Sequence, residues 1–337
     1  MKKSSLSKFY SIPSLPLGLL ALAAQLHAVT FDNAGGDNYW GNDANWQGGS
    51  FPNGVDTTAS IYRYWQKADQ LLLLADSSGN DQSYTVRGFT FSSGSGGGAG
   101  SDHYRLRNVT GGTASLVFQG SVDPAFLKFS NNYASGIMEV DASLILNSDL
   151  NVNVDRTIGI SRIDGVISGA NGVDVVGRGT LILNGSNTYT GSTTLSNGTL
   201  LLGAAERIAD SSSIIFNGGA LATNGLSETM GTIQLSDDST LDLGSGVSAL
   251  SFLDSSSLSW SGSAVLTISN FDEGLDSIRF GTDGSGLSGS QLSQIVLNGG
   301  AASLDGSGYL TAVPEAGSFA LLSGFVSLGL VALRRRR

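Results

Sequence analysis

Residues 179–203 read Gly-Thr-Leu-Ile-Leu-Asn-Gly-Ser-Asn-Thr-Tyr-Thr-Gly-Ser-Thr-Thr-Leu-Ser-Asn-Gly-Thr-Leu-Leu-Leu-Gly. Two short apolar runs, Leu181–Leu183 and Leu200–Leu202, lie near its ends, and Asn, Gly, Ser and Thr fill the interval between them. Apolar runs of this length bounded by turn residues are typical of β-strands, and threonine favours an extended backbone. The stretch therefore predicts two strands joined by a polar turn.

Similar apolar runs recur on both sides of this stretch at a nearly constant spacing. Intervals of 18, 19, 21, 20 and 25 residues separate Ile163, Leu181, Leu200, Leu221, Leu241 and Leu266. A period of about 20 residues is expected of a β-solenoid, in which each coil stacks its strands on the coil before it. A β-sandwich whose hairpins recur at this interval is the competing interpretation. We expect a solenoid over residues 101–270, with Leu181, Leu200, Leu221 and Leu241 pointing into one core.

Residues 179–203 also resemble one copy of the autotransporter-associated β-strand repeat. The matching positions are Gly179, Thr180, Leu181, Asn187, Tyr189, Thr190, Gly191, Thr193, Thr194, Gly198, Thr199, Leu200 and Gly203. Asn187 and Gly191 suit a tight corner, and Tyr189 can cap the end of a strand. The resemblance implies a right-handed parallel β-helix in a surface passenger. The fold class that we predict is all-β, a parallel β-solenoid with capping segments, plus a signal helix and a transmembrane helix at the termini.

The segments that flank the predicted solenoid differ from it in composition. Residues 29–100 hold an aromatic- and Asn-rich opening and then the Gly/Ser-rich stretch Ser92–Ser101, which is the best candidate for a domain boundary. The opening resembles the one often found before such repeats, through Trp40, Asn45, Trp46, Pro52, Asp56 and Tyr62. We expect these aromatic residues to seal the first coil, and a carbohydrate platform is the alternative. Residues 271–312 predict a closing β cap.

The N-terminus has the features of a secretory signal in residues 1–28. Lys2, Lys3 and Lys8 precede the apolar segment Leu15–Ala24. Cleavage is expected after Ala28, and cleavage after Ala23 is an alternative. An uncleaved N-terminal anchor is the remaining possibility for this segment.

Residues 313–337 resemble the PEP-CTERM sorting signal of bacterial exported proteins. The motif Val313-Pro314-Glu315 precedes an apolar run, Gly317–Leu333, which ends in a basic cluster formed by Arg334, Arg335, Arg336 and Arg337. An apolar run followed by arginines also predicts one short transmembrane helix with the basic cluster in the cytoplasm. The resemblance implies cleavage by a membrane exosortase, although Ala316 stands where the family usually has proline. We expect a protein at the cell surface or outer envelope, anchored in the membrane at least transiently.

Composition narrows the range of partners. Residues 29–313 keep 11 of the 18 Lys and Arg residues and 27 of the 28 Asp and Glu residues, so this body carries a net charge near −16. Such a surface repels nucleic acid and anionic lipid. The chain has no cysteine, so packing and backbone hydrogen bonds must supply its stability. Extracellular polysaccharide is a partner that the charge permits.

Candidate catalytic groups are sparse. His103 is the only histidine outside the predicted signal segment, so a Ser-His-Asp triad or a zinc site has little to build on. Carboxylates remain as candidates for a glycosidase or lyase, although adjacent acids on a strand point to opposite faces. These residues are Asp237, Asp238, Asp272, Glu273 and Asp276, with Arg279 nearby. We interpret them as solvated corner residues and expect no catalytic residues and no cofactor.

Two Asp-Gly turns offer oxygen ligands for calcium. They are Asp283-Gly284-Ser285-Gly286 and Asp305-Gly306-Ser307-Gly308, and neither has the spacing of a known calcium loop. Ordinary turns are the expected reading, with bound calcium as the alternative. The preferred function is a non-enzymatic surface or matrix protein, structural or adhesive. A carbohydrate-active β-helix enzyme is the competing hypothesis.

Overall fold

The computed structural model describes residues 28–63, 70–93, 103–130 and 136–314. In these ranges the chain is almost entirely β, and its strands pair in parallel with strands one coil away. Successive strands lie on three faces, which the chain visits in the order 1, 2, 3 before it returns to face 1. This arrangement is a parallel β-solenoid, which confirms the predicted fold of the body.

Face 1 is the longest sheet of the described chain. Its strands are β2 (Tyr39–Gly41), β4 (Gln70–Asp76), β7 (His103–Asn108), β10 (Ile137–Val140), β13 (Ile160–Ile163), β16 (Thr180–Leu183), β18 (Thr199–Leu202), β20 (Ala220–Ala222), β23 (Ser239–Asp242), β25 (Leu266–Ser269), β27 (Ile295–Leu297), β28 (Gly300–Leu304) and β29 (Leu310–Ala312).

Face 2 is formed by two sheets separated along the axis. The first contains β5 (Tyr84–Val86), β8 (Ser115–Phe118), β11 (Ser143–Leu146) and β14 (Ile167–Gly169), and the second contains β21 (Glu228–Thr229), β24 (Ala249–Phe252) and β26 (Ser277–Phe280).

Face 3 is one continuous sheet. Its strands are β1 (Val29–Phe31), β3 (Thr58–Arg63), β6 (Gly88–Ser93), β9 (Ala125–Ser130), β12 (Leu150–Val154), β15 (Val173–Gly177), β17 (Thr193–Ser196), β19 (Ile214–Asn217) and β22 (Ile233–Asp237). Two single turns of helix complete the described elements, a 3-10 turn at Asp43–Asn45 and α1 at Gly289–Leu292.

The inward side chains of face 1 form a continuous apolar column. Leu181, Leu200, Leu221 and Leu241 are register partners on successive strands, and all four are fully buried. Burying a leucine contributes roughly 1.5–3 kcal/mol, so such a column is a main source of stability for the coils. The prediction that these four leucines share one core is confirmed.

Ile163 and Leu266, the outer members of the spaced series, are buried but are not register partners of these four leucines. Leu181 pairs with Ser161, whereas Ile163 pairs with Leu183. At the other end Leu241 pairs with Ile268, and Leu266 pairs with Ser239. Every second residue of a strand points inward, so a slip of two residues still puts an apolar side chain in the core. Sequence spacing alone therefore cannot distinguish the true register from a shift of two.

The stretch Ser92–Ser101 falls largely outside the described residues. On either side of it, β6 pairs with both β3 and β9, and β7 pairs with both β4 and β10. The coils before and after this stretch therefore stack directly on one another.

The two ends of the solenoid are closed by different devices. At the N-terminal end Trp40 and Trp46 pack together with ring centroids 5.1 Å apart, and both are buried. At the C-terminal end β28 pairs antiparallel with β27, and β29 pairs antiparallel with β28. A backbone bridge also joins Tyr309 to Arg279 of β26. Covering the terminal strands in this way keeps their hydrogen-bonding groups from pairing with other chains.

Candidate functional site

The turn of the central repeat uses a side chain in place of a strand. Between β14 and β21 the described chain has no strand on face 2. There the side-chain oxygen of Asn187 accepts a hydrogen bond from the Ile167 backbone amide at 2.8 Å, and its amide nitrogen donates to the Arg207 carbonyl at 2.7 Å. Asn187 thus connects the coil before it to the coil after it. Asn187 was predicted to lie at a tight corner. Its side chain also forms hydrogen bonds that link three successive coils.

Gly191 permits close stacking at the same turn. A Cβ atom on Gly191 would lie 2.2 Å from the backbone nitrogen of Gly172 in the preceding coil. Any other residue would therefore push the two coils apart, which explains the glycine at this corner.

A buried carboxyl group continues the polar ladder one coil further on. Glu228 is fully buried, and its two carboxylate oxygens accept hydrogen bonds from the backbone amides of Arg207 at 2.8 Å and Ile208 at 3.0 Å. The pKa of Glu228 is raised to about 8, mainly by burial and also by the nearby acids Glu206 and Asp210, which together outweigh the lowering effect of the two amides. Because Glu228 is enclosed, it has no access to a substrate.

Three hydroxyl groups form a chain inside the same coils. The Tyr189 hydroxyl lies 2.6 Å from the Thr193 hydroxyl, which lies 2.9 Å from the Ser212 hydroxyl. Ser212 in turn donates to the Gly191 carbonyl at 2.8 Å. Burial raises the pKa of Tyr189 to about 12. Tyr189 therefore lies inside the solenoid, as part of a satisfied network that holds the turn.

Trp40 and Trp46 do not form the carbohydrate platform that was the alternative to a seal. Trp40 is fully buried and donates from its indole nitrogen to the Pro52 carbonyl at 2.8 Å, while Trp46 donates to the Trp40 carbonyl at 2.7 Å. Tyr84 stacks on Trp40 with ring centroids 5.4 Å apart. Both indoles therefore pack as a seal over the first coil, and the side chain of Tyr62 lies outside the described part of the chain.

The candidate carboxylates serve mainly as acceptors for backbone amides. Asp238 accepts from the Val265 amide at 2.8 Å. Asp276 is buried, and its two oxygens accept from the amides of Ser248 at 2.7 Å and Asp272 at 2.9 Å. These bonds fix the corners between coils. Asp237, Asp238, Asp272 and Glu273 are exposed, as expected of solvated corner residues, whereas Asp276 is not.

The Asp-Gly turns are ordinary turns in which the aspartate bonds its own loop. Asp283 accepts hydrogen bonds from the hydroxyl group of Ser285 and from its backbone amide, the latter at 2.9 Å. Both hydrogen bonds lower the pKa of Asp283. Asp305 accepts from the amides of Ser307 at 2.8 Å and Tyr309 at 2.9 Å. Both carboxylates therefore stabilise their own turns through hydrogen bonds, without an ion.

His103 lies in a sheet. It is the first residue of β7, is half-buried, and is the register partner of Ile137. Pairing with β10 explains why His103 is covered.

A charged cluster on the outer side of face 1 could not be found from sequence. Glu139 is buried between Arg105, whose Nε lies 2.7 Å from one carboxylate oxygen, and Arg162, which contacts the other. Asp141 and Asp164 lie close enough for the three carboxylates to share a cation. The two guanidinium groups already balance Glu139, however, so the cluster is built as an ion-pair network. Burial, together with Glu139 and Asp164, raises the pKa of Asp141.

The predicted terminal signals lie largely beyond the described residues. Val313, whose amide donates to the Ala301 carbonyl at 2.9 Å, and Pro314 are exposed at the end of the described chain. Glu315, Gly317–Leu333 and the cluster Arg334–Arg337 lie outside the described residues, as does the segment 1–27. No helix within the described ranges is long and apolar enough to cross a membrane.

Comparison with known families identifies the central coil. Residues 176–202 match the passenger-associated-transport-repeat family. The matched repeat contains Asn187, Tyr189 and Gly191 and runs from the end of β15 to β18. Neither a curated protein nor a solved structure matches the chain. The repeat and the parallel sheets together fit a β-solenoid surface protein.

Proposed function

We propose that this chain is a non-enzymatic, exported β-solenoid protein of the cell surface or extracellular matrix, with a structural or adhesive role. The observation that carries the proposal is the passenger-associated repeat at 176–202, which lies at the centre of a parallel solenoid. The polar residues inside the solenoid also support the proposal. The side chains of Asn187, Tyr189 and Glu228 all form hydrogen bonds that hold the coils together. The right-handed coiling of the β-helix, which the resemblance to the repeat implies, is part of the same proposal.

The route to the surface that we propose uses both ends of the sequence. Residues 1–28 act as a secretory signal, and residues 313–337 act as a sorting tail of the PEP-CTERM type. At about 1.5 Å per residue, the apolar run Gly317–Leu333 extends roughly 26 Å as a helix, just short of a bilayer core of about 30 Å. Such a marginal span suits a transient anchor, which an exosortase removes. The described chain ends with Val313 and Pro314 exposed, so a protease can reach the start of this tail.

The sorting route is tested on the full chain with an epitope inserted in the exposed turn at Ser261–Ser263. Surface labelling and intact mass are compared between a host with an exosortase and the same host without it. We expect surface protein that lacks the four terminal arginines only when the enzyme is present. Replacing Arg334–Arg337 with serine should abolish this processing, and Arg178→Ser, at an exposed arginine of the body, should not.

Three results contradict the proposal. A surface species that still ends at Arg337 replaces sorting with a simple tail anchor, and protein retained inside the cell removes the surface role. Turnover of a polysaccharide that one carboxylate substitution abolishes contradicts the non-enzymatic role.

A further inference from the structure

Tyr309 differs from the other aromatic residues of the solenoid. Among the aromatic side chains that the structure describes, only that of Tyr309 is exposed, at 39% of its full area. The others are buried or half-buried in the core and the caps. An exposed aromatic ring can supply a partner with a large contact area at low entropic cost.

Arg279 holds the exposed ring in a fixed position. Its guanidinium lies over the Tyr309 ring, 5.4 Å from the centroid. The guanidinium is itself held by hydrogen bonds to the carbonyls of Ser307 at 3.0 Å and Thr282 at 3.2 Å. The backbones of Arg279 and Tyr309 also form an antiparallel bridge. Because the ring is held before any ligand arrives, binding costs less conformational entropy.

Tyr309 lines a groove that Arg279 does not line. This groove has a volume of about 450 Å³, and Glu273, Ser277 and Thr311 line it as well. Arg279 borders a separate depression. Ligand sites in proteins commonly enclose about 300–1,000 Å³, and the groove falls within that range.

The chemistry of the groove selects against anionic polymers. Glu273 and Asp276 are its charged residues, and no lysine or arginine lines the groove as described. Anionic chains are therefore repelled, as they are by the acidic body as a whole. Glu273 accepts from the Ala312 amide with one oxygen, and its other oxygen has no partner among the described residues. The Ser277 hydroxyl likewise has no hydrogen-bond partner in the described chain.

We propose that this groove binds an uncharged polysaccharide, with one sugar ring packed against the exposed side chain of Tyr309. Sugar rings present apolar C–H faces to an aromatic ring, and their hydroxyl groups can donate to the free oxygen of Glu273 and bond the hydroxyl of Ser277. The inference rests on the proposed surface function, because it names the partner class for that role. It places the binding site at the closing cap of the solenoid, away from the matched repeat.

The test measures binding of the full chain, purified in a polyoxyethylene detergent that contains no sugar. An array of neutral glycans identifies ligands, and calorimetry then measures the affinity of the tightest. Tyr309→Ala should weaken binding at least about tenfold, while Tyr309→Phe should retain most of it because the ring face remains. Leu253→Ala, at an exposed residue of the neighbouring depression, is the matched control and should bind like the parent.

A second variant keeps the test informative if Tyr309→Ala fails to fold. Ser277→Trp fills the groove from β26 and should weaken binding to a similar degree. The proposal is overturned if no neutral glycan binds or if both groove variants bind like the parent. It is also overturned if a small organic cation, tested as tetramethylammonium, binds the groove in place of glycans. Lack of glycan binding by a surface-displayed protein removes only this site. Intracellular retention removes the proposed function and leaves binding measurable.

Discussion

The side-chain oxygen of Asn187 lies 2.8 Å from the backbone nitrogen of Ile167, where it accepts the hydrogen bond that a strand carbonyl would otherwise accept. The same side chain donates to the next coil at Arg207. One amide group therefore does the work of a missing strand on face 2.

Removing this amide should weaken the solenoid. Asn187→Ala leaves the buried Ile167 amide and the Arg207 carbonyl without partners, and each such loss costs about 1–3 kcal/mol. We expect a total near the upper end of that range in the free energy of unfolding, measured by urea denaturation. Asn217→Ala, at an exposed asparagine on face 3, is the control and should change the stability by less than about 0.5 kcal/mol. Equal effects of the two substitutions would contradict the ladder role.

Adjacent leucines on β18 should respond differently to truncation. Leu200 points into the core and is fully buried, whereas Leu201 points outward and is half-buried. Leu200→Ala should cost about 2–5 kcal/mol of unfolding free energy, and Leu200→Asp should cost more because it buries a charge. Leu201→Ala is the matched control and should cost clearly less. If Leu200→Asp melts at the same temperature as the parent, the register of face 1 is wrong.

The carboxyl group of Glu228 should make stability depend on pH. Its pKa is raised from 4.5 to about 8 in the folded protein, so the folded state binds this proton more tightly than the unfolded state does. The resulting stabilisation is fully present below pH 4.5 and is lost as the pH rises through 8. The contribution changes by up to about 1.4 kcal/mol per pH unit between these values.

Glu228→Gln should remove this dependence because glutamine keeps an oxygen acceptor without a titrating proton. We expect the unfolding free energy of the variant to fall less steeply between pH 5 and 8 than that of the parent. Glu273→Gln removes an exposed carboxyl group elsewhere and serves as the control with the parent slope. Parallel curves for Glu228→Gln and the parent would show that Glu228 is already ionised in the folded state.

The ion-pair network on face 1 should matter more than exposed pairs. Glu139→Gln leaves Arg105 and Arg162 side by side without their shared carboxylate. Both arginines are about one third exposed, so solvent screens their repulsion, and we expect a loss of about 1–3 kcal/mol. Asp155→Asn breaks an exposed pair with Arg178 and should cost less than about 0.5 kcal/mol. Thermal unfolding at low and high salt distinguishes the two cases, and identical shifts for both variants would contradict the network.

The sequence predicted the solenoid because its core repeats in one dimension. Leucines spaced by 19–21 residues, such as Leu181, Leu200 and Leu221, report the length of a coil directly. The spacing does not show which strand residue pairs with Leu181, because inward positions alternate and both Ser161 and Ile163 point inward. Local patterns therefore predict the fold class but not the ends of the column.

The ion pairs of Glu139 and the exposure of Tyr309 could not be predicted from the sequence, for a different reason. Glu139 contacts Arg105 and Arg162 across 34 and 23 residues, intervals set by the irregular length of the N-terminal coils. The sequence placed Tyr309 only within a predicted closing segment. Its exposure depends on the antiparallel bridge that Tyr309 forms with Arg279 of β26. Such contacts are fixed by the packing of whole coils, which no short motif encodes.

The near-constant coil length between Ile163 and Leu241 gives this region the character of a molecular ruler. Each coil adds about 4.8 Å to the height of the stack, and both ends carry their own seals. Gene duplication or loss of one 20-residue unit could therefore lengthen or shorten the reach of the protein in single steps. The sealed ends would be displaced as intact pieces, without the need for a new core.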